Sequence, residues 1–274
     1  MAILCIDAMN FFHRARSGWS MGPAPVVFNF MRNFRALVEQ FNPKRVYFVL
    51  EGKAQQRRDL LPEYKANRAV EAESKEAKEL ERFFSQVNEI VSLLKENFPI
   101  SVVRHPRFEC DDTIYNLVKS STPVVDWVVA SNDTDFIQLL NEFDNVKLWN
   151  PMKKSFVEKP SYDYVTWKAL RGDGSDNISG IPGVGDKTAL DLASNQEKLK
   201  SFLSEQSNLE IFQRNHRLIK FIGWSEQEAA EMTCSLPKKD WNPLKETFEK
   251  YEFKSLLKEE TWQKFVDTFE PLWG

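Results

Sequence analysis

Carboxylates gather in short runs along this chain, and the runs carry few basic residues. Asp7 closes the apolar stretch AILCID, and Glu51 follows VYFVL. Glu109-Cys-Asp111-Asp112 comes next, then Asn132-Asp133-Thr-Asp135 directly after WVVA, then Gly172-Asp173-Gly-Ser-Asp176-Asn177. A single Asp at a helix start is commonly an N-cap, and Asp111, Asp133 and Asp176 each allow that explanation. Repeated acidic doublets do not. Brought together they would repel and raise one another's pKa values. Hard divalent cations remove that cost, and an oxygen-dominated donor set suits Mg²⁺ or Mn²⁺ over zinc. So many carboxylates exceed the need of one octahedral ion, and two ions roughly 4 Å apart would clamp a scissile phosphate. The chemistry indicated is phosphodiester hydrolysis.

Two further stretches belong with these clusters. Arg57, Arg58, Tyr64, Lys65 and Arg68 form a basic, aromatic-containing run just after Glu51. Close in sequence to the acidic edge, Lys65 and Arg68 are read as polarising a phosphate, Tyr64 as stacking on a terminal base and Arg57 as contacting DNA; surface residues that neutralise nearby acids are the alternative reading. The second stretch is Ile181-Pro-Gly183-Val-Gly185-Asp-Lys187-Thr188. Its two glycines permit a tight turn and close backbone approach, and the helix starting near Lys187 offers free N–H groups. The stretch resembles the hairpin of helix-hairpin-helix modules, which grip a phosphate backbone without reading bases, and predicts a helix-hairpin-helix-type C-terminal helical region; an ordinary helix-turn-helix connection is the alternative.

The elements that must position these groups alternate. Strands are expected over Ala2 to Asp7, Arg45 to Leu50, Ile100 to Val103, Trp127 to Ala130 and Val146 to Trp149. Helices are expected between them, including Val26 to Phe41 and Thr113 to Lys119. This order predicts an α/β fold with a mostly parallel sheet flanked by helices, its functional residues beyond the carboxyl strand ends. Residues 1–158 form the expected core and 159–274 a smaller helical region packed on it, holding the glycine hairpin at about 177–195. Ala66 to Leu94 starts highly charged and gains an apolar stripe only later, the pattern of a solvated helix.

Composition sets the outer bounds. The three cysteines make neither a disulfide framework nor a zinc spacing, so a reducing cytoplasmic compartment is expected. No apolar run is long enough for a membrane span. Setting the nine clustered carboxylates aside turns the formal charge of −3 into +6, which is compatible with a polyanionic partner.

In sequence these residues resemble the 5′-nuclease or flap endonuclease family in its bacterial and phage form. The stretches that carry the resemblance are ID at Asp7, EGK…RR…PEYKANR, FECDD, SNDTDFIQLL and GDGSDNISGIPGVGDKTA, spread over roughly residues 1–195. The resemblance implies a PIN-like core and two metal sites. Their ligands would be Asp7, Glu51, Glu109, Asp111, Asp112, Asp133, Asp135, Asp173 and Asp176, with Lys65 and Arg68 near the scissile phosphate. It also implies a hairpin from Gly183 to Thr188 that holds duplex DNA and K⁺, and a helical arch over residues 66–94. The arch's Glu71, Glu73, Glu76, Glu79 and Glu81 argue against a tight grip on single strands. One departure stands out: the family usually has Asp where this chain has Glu51.

The expected activity is a metal-dependent 5′-3′ exonuclease and flap endonuclease on duplex or branched DNA, removing RNA primers and flaps in replication. The chain is expected to act as a monomer. The aromatic tail (Phe265, Phe269, Trp273) reads as core packing, with docking to a sliding clamp or single-strand-binding protein as the alternative. A PIN-type ribonuclease on single-stranded RNA and a non-catalytic branched-DNA binder are the competing readings.

Overall fold

A computed structural model describes residues 2–18, 22–66 and 77–272. Its centre is a seven-stranded sheet. Strands β1 (Ala2–Asp7), β2 (Arg45–Leu50), β3 (Ser101–Arg104), β4 (Asp126–Ala130) and β5 (Val146–Asn150) are parallel. Two short antiparallel strands cap the edges: β6 (Ser155–Phe156) beside β5, and β9 (Thr233–Cys234) beside β3. Strands β7 (Gly172–Asp173) and β8 (Ile178–Ser179) pair with each other elsewhere.

The spatial order β6-β5-β4-β1-β2-β3-β9 places β1 at the centre. From there the chain builds β2 and β3 on one side, then crosses back to lay β4 and β5 on the other. Ligands of such sheets bind outside the carboxyl ends at the point of reversal, which here lies between Asp7 on β1 and the residues after β4. The expected strands all form, with ends shifted by a residue at most. The two edge strands were not expected, because two-residue antiparallel pieces leave no periodicity to read.

Helices cover both faces. On one face lie α1 (Ala8–Ser17), α2 (Pro25–Phe41) and α4 (Ala77–Asn97), and on the other α5 (Cys110–Lys119) and α6 (Ile137–Glu142). The short α3 (Gln55–Leu60) follows β2. Beyond β6 come α7 (Tyr164–Arg171), α8 (Asp186–Ala193), α9 (Gln196–Phe202), α10 (Gln206–Ile219) and α11 (Glu226–Ala229). The chain then returns through β9 to the first face, where α12 (Asn242–Lys250), α13 (Lys254–Leu257) and α14 (Glu259–Phe269) join its core.

Of the expected arch, residues 67–76 lie outside the described residues. The described remainder is α4, whose stripe of Phe83, Val87, Ile90 and Leu94 is buried in that first core. This half of the segment is a wall of the fold. The aromatic tail is also core. Phe269 is fully buried, with ring centroids 5.1 Å from Phe34, 5.0 Å from Phe98 and 5.1 Å from Phe265. Phe269→Ala should therefore cost about 3–5 kcal/mol of stability, measurable by urea unfolding. A change below about 1 kcal/mol would contradict the packing. Of the tail aromatics proposed for docking, only Trp273 escapes this objection, and it lies outside the described residues.

Candidate active site

Asp7 is fixed from three sides at the end of β1. It caps α1 by accepting from the Asn10 amide (3.1 Å), takes a 2.8 Å bond from the Ser131 hydroxyl, and lies 3.9 Å from the Cys110 thiol. Glu51 follows β2 in a loop held against residues 105–108. A Cβ at Gly52 would come within 2.0 Å of the Phe108 carbonyl oxygen and 2.1 Å of that of His105. Only glycine allows this approach, and it brings Glu51 beside Glu109 at the head of α5. Asp111 lies in the first turn of α5, and Asp133 caps the 3₁₀ turn after β4. Asp7, Glu51, Glu109, Asp111 and Asp133 line one cavity of about 520 Å³, with Arg58 and Lys65 as cations on its wall.

Five carboxylates against two cations leave the cavity strongly negative, and proton affinities respond. Burial, opposed in part by the Asn10 amide and Ser131, pushes Asp7 up to about 6. Glu51 opens onto the cavity surface but is ringed by protein. Loss of water, then the Glu109 charge, pushes it up to about 7. Burial and the Asp133 charge raise Asp111 well above the usual carboxylate range. Burial alone would raise Glu109 as well, but Lys65 and Arg57 outweigh it and hold that carboxyl low.

A second group adjoins the first. Asp135, Asp173 and Asp176 have carboxylate oxygens within 4.8 Å of one another. Asp133 lines both this pocket, of about 130 Å³, and the larger cavity. Buried Lys168 of α7 pairs with Asp135 and, at 2.6 Å, with Asp173. Tyr164 adds a 3.3 Å hydroxyl bond to Asp135. Burial raises Asp135 despite this lysine, whereas at Asp173 Lys168 and Ser175 outweigh burial and lower the pKa. The sequence reading missed Lys168, Tyr164, Ser131 and Asn10. Lys168 stands five residues before Asp173, and only its position on the buried face of α7 marks it.

Tyr64 and Lys65 join the two groups. The Tyr64 hydroxyl lies 3.1 Å from Glu109 and 3.2 Å from Asp176, and the Lys65 ammonium lies 2.5 Å from Glu109 and 3.8 Å from Asp176. Lys65 has φ +57°, a sparsely populated conformation for a residue with a side chain, and its amide donates to the Asp176 carbonyl. Tyr64 is thus buried beneath the carboxylates, which corrects the expectation of a base-stacking surface. Arg68 lies outside the described residues.

Arg57 and Asp112 also take other places than expected. The Arg57 guanidinium is buried, donating to Glu109 at 2.7 Å, to both Asp112 oxygens at 2.5 and 2.9 Å, and to the carbonyls of Leu218 and Lys220. With its donors spent inside the protein it is a brace, not a DNA contact. Asp112 is turned away from the cavity, its Oδ1 also accepting from the Ile222 amide.

The glycine hairpin forms as a turn leading into α8. Gly183 has φ +79°, a conformation that favours glycine, and Gly185 caps the helix. A Cβ at either position would meet nothing within 4 Å. Bare backbone therefore faces open space beside exposed Lys187 and Thr188.

Residues 2–168 match the family model described as the 5′-3′ exonuclease, N-terminal resolvase-like domain. The chain belongs to this 5′-3′ exonuclease family. It is 29% identical over 263 residues to a 5′-3′ exonuclease of Aquifex aeolicus, covering 86% of this chain and 85% of that one. It is 28% identical to DNA polymerase I of Chloroflexus aurantiacus over 78% of this chain, but over only 23% of that longer protein. Ribonuclease H of Enterobacteria phage T4 is 31% identical over 60% of each chain. The crystal structure of the T5 D15 protein with metal ions superposes with a TM-score of 0.67, covering 99% of both chains at 19% identity, and shares the fold. A 5′-3′ exonuclease is a phosphodiester hydrolase. Among the described residues no helix is long and apolar enough to cross a membrane.

The donors of this candidate site suit hard divalent cations: they are carboxylate oxygens, crowded and short of positive partners. The raised groups give a testable sign. A carboxyl whose folded pKa is raised contributes stability below its unfolded pKa, near 4, and loses it as pH rises through the folded value. For Asp7 and Glu51 that window runs from about pH 4 to about pH 7. In EDTA the melting temperature should fall across this window, and Mg²⁺ should stabilise far more at about pH 7.5 than at about pH 5. Equal Mg²⁺ stabilisation at both pH values would refute the assignment.

Proposed function

We propose that this 5′-3′ exonuclease is a two-metal, Mg²⁺- or Mn²⁺-dependent enzyme that cuts at 5′ ends of duplex or branched DNA, trimming flaps and RNA primers in replication. The supporting observation is the pair of carboxylate groups sharing Asp133, with Lys65 between them. Asp7, Glu51, Glu109, Asp111 and Asp133 would hold one ion, and Asp133, Asp135, Asp173 and Asp176 the other. Bound there, the ions supply a nucleophilic water at neutral pH and charge stabilisation of the phosphate oxygens.

The protein's own part is positional. Ser131 and Asn10 orient Asp7, Arg57 orients Glu109, and Lys168 tethers Asp135 and Asp173. The Lys65 ammonium, now paired with Glu109, would meet a phosphate oxygen, a contact worth about 10²–10³ in rate at comparable sites. Arg68 has the same proposed role. Gly183, Gly185, Lys187 and Thr188 would hold the duplex backbone, with K⁺ at the hairpin. A solved complex of T5 D15 flap endonuclease with DNA and metal ions has the same fold. A monomer in the cytoplasm completes this reading.

The deciding experiment compares 5′-flap, nicked-duplex, RNA-primed and single-stranded RNA substrates in Mg²⁺, Mn²⁺ or EDTA, with Asp133→Asn as control. Metal-dependent cutting near the duplex junction, lost in the variant, is expected. Preferential cutting of single-stranded RNA would replace this reading with a ribonuclease. Tight binding of branched DNA without cutting in either metal would make the protein a binder. Glu51→Asp should retain activity, since it keeps the charge and restores the usual family residue.

A further inference from the structure

A short turn from Pro151 to Lys154 joins β5 to β6 at the carboxyl edge of the sheet. The hairpin from Asn145 to Val157 carries Lys147, Lys153 and Lys154 and no carboxylate. Lys153 and Lys154 are exposed and form no ion pair among the described residues. Met152 beside them is 62% exposed. Edge strands often carry lysines as guards against pairing with another sheet. These two stand in the turn, where there is no ladder to guard, so that role does not account for them.

The turn is held in one shape and tied to the carboxylate cavity. Asn150 accepts from the Met152 amide at 3.0 Å and from the Lys153 amide at 2.9 Å. Lys154 has φ +53°, a sparsely populated conformation for a residue with a side chain. The Asn132 side chain accepts from the Met152 amide at 3.3 Å, and the Asn132 amide donates to the Asn10 side chain at 3.1 Å. Asn10 lines the cavity, and Asn132 precedes Asp133, which belongs to both carboxylate groups. The cavity-wall cations Arg58 and Lys65 come from the segment after β2, whereas the order β5-β4-β1-β2 sets the turn on the opposite side. A polyanion leaving the cavity toward β5 therefore meets the two lysines. From Asp133 through Asn132 to Lys153 is about three steps of about 4 Å, roughly three to four nucleotides of strand at about 3.4 Å each.

We propose that the β5–β6 turn is a separate phosphate contact, holding the sugar–phosphate strand of the substrate where it leaves the cavity on the β5 side. The proposal rests on the 5′-nuclease reading. Lys153 and Lys154 meet phosphates, Met152 lies against the apolar face of a sugar, and Asn132 and Asn150 keep the turn in place. The ligand is a strand of any sequence, because two ammonium groups and a thioether select no base edge.

The test measures binding of a 5′-flap DNA in Ca²⁺ over a range of salt, and steady-state cleavage in Mg²⁺. The proteins compared are the parent, Lys153→Gln, Lys154→Gln, the double variant, Lys153→Arg and Lys147→Gln. Lys147 is exposed on the same hairpin but at the other end of β5, and serves as control. Each glutamine in the turn should lower the salt slope by about 0.9. The double variant should bind roughly 10- to 100-fold more weakly. Its KM should rise while kcat stays within about twofold of the parent, because a backbone contact serves ground state and transition state alike. Lys153→Arg should keep the slope, and Lys147→Gln should match the parent. An unchanged slope in the double variant would overturn the contact, as would an equal loss in Lys147→Gln, the mark of a diffuse positive field. A fall in kcat with KM unchanged would also overturn it, by making the turn a support for Asp133 alone. If the parent neither binds nor cuts the flap DNA, the 5′-nuclease reading fails and the contact with it. If the parent does both and the double variant equals it, only the contact fails.

Discussion

Asp111→Asn should lower Mg²⁺-dependent cleavage by at least roughly 10³-fold, about 4 kcal/mol of barrier, while raising the melting temperature of the metal-free protein. Both effects come from the same crowding. Asp111 shares the cavity with Asp7, Glu51, Glu109 and Asp133, and its carboxyl is raised by burial and then by the Asp133 charge. Without metal at neutral pH an ionised Asp111 therefore opposes folding, and an amide of the same shape removes that opposition. A gain of about 1 kcal/mol would show as a shift of roughly 2–4 °C at this chain length. With metal the sign reverses, because an amide cannot replace a charged ligand and the parent gains more from Mg²⁺ than the variant does. Single-turnover cleavage and thermal melts in EDTA and in Mg²⁺ read the two halves separately. A variant cutting within tenfold of the parent, or melting lower than it in EDTA, would remove Asp111 from the proposed ligand set.

The strands and the convergence of carboxylates were legible because both depend on local pattern. An apolar strand followed by Asp or Glu places that carboxylate beyond the sheet edge, whatever the rest of the chain does. Asp7 and Asp133 show this, and Glu51 needed only the absent side chain of Gly52 to settle beside Glu109. The difference between Asp111 and Asp112 was available in principle. Adjacent helical residues point about 100° apart, so only one of the pair can face the cavity. What was not legible is pairing across long separations. Arg57 and Tyr64 read as surface contacts because nothing near them in sequence names their partners, which lie 45 to 163 residues away. Lys168 was missed for the same reason: a lone lysine on a helix suggests solvent until burial and two carboxylates surround it. Cations that balance a negative site need only arrive there, and many chain positions can supply them.

Arg57→Met should destabilise the protein by about 3–5 kcal/mol, the usual cost of removing one partner from a buried ion pair. Arg57 connects α3 to α5 through Glu109 and Asp112, and to the end of α10 through the carbonyls of Leu218 and Lys220. Removing it leaves the buried Asp112 side chain with the Ile222 amide as its remaining partner among the described residues. Arg57→Lys should recover little, because an ammonium cannot reproduce the planar fork that meets both Asp112 oxygens. Arg57→Met combined with Asp112→Leu removes both charges and should regain a large part of the stability, as apolar replacement of whole buried pairs often does. Cleavage should not return with it. Glu109 would still lack the Arg57 bond that turns one of its oxygens away from the cavity, leaving it oriented only by Tyr64 and Lys65. Urea unfolding of the two single variants and the double isolates the coupling energy, and cleavage assays on the same proteins separate stability from orientation. A double variant no more stable than Arg57→Met would mean that Arg57 acts mainly through the Leu218 and Lys220 carbonyls. Recovery of both stability and cleavage would mean that the brace on Glu109 is dispensable.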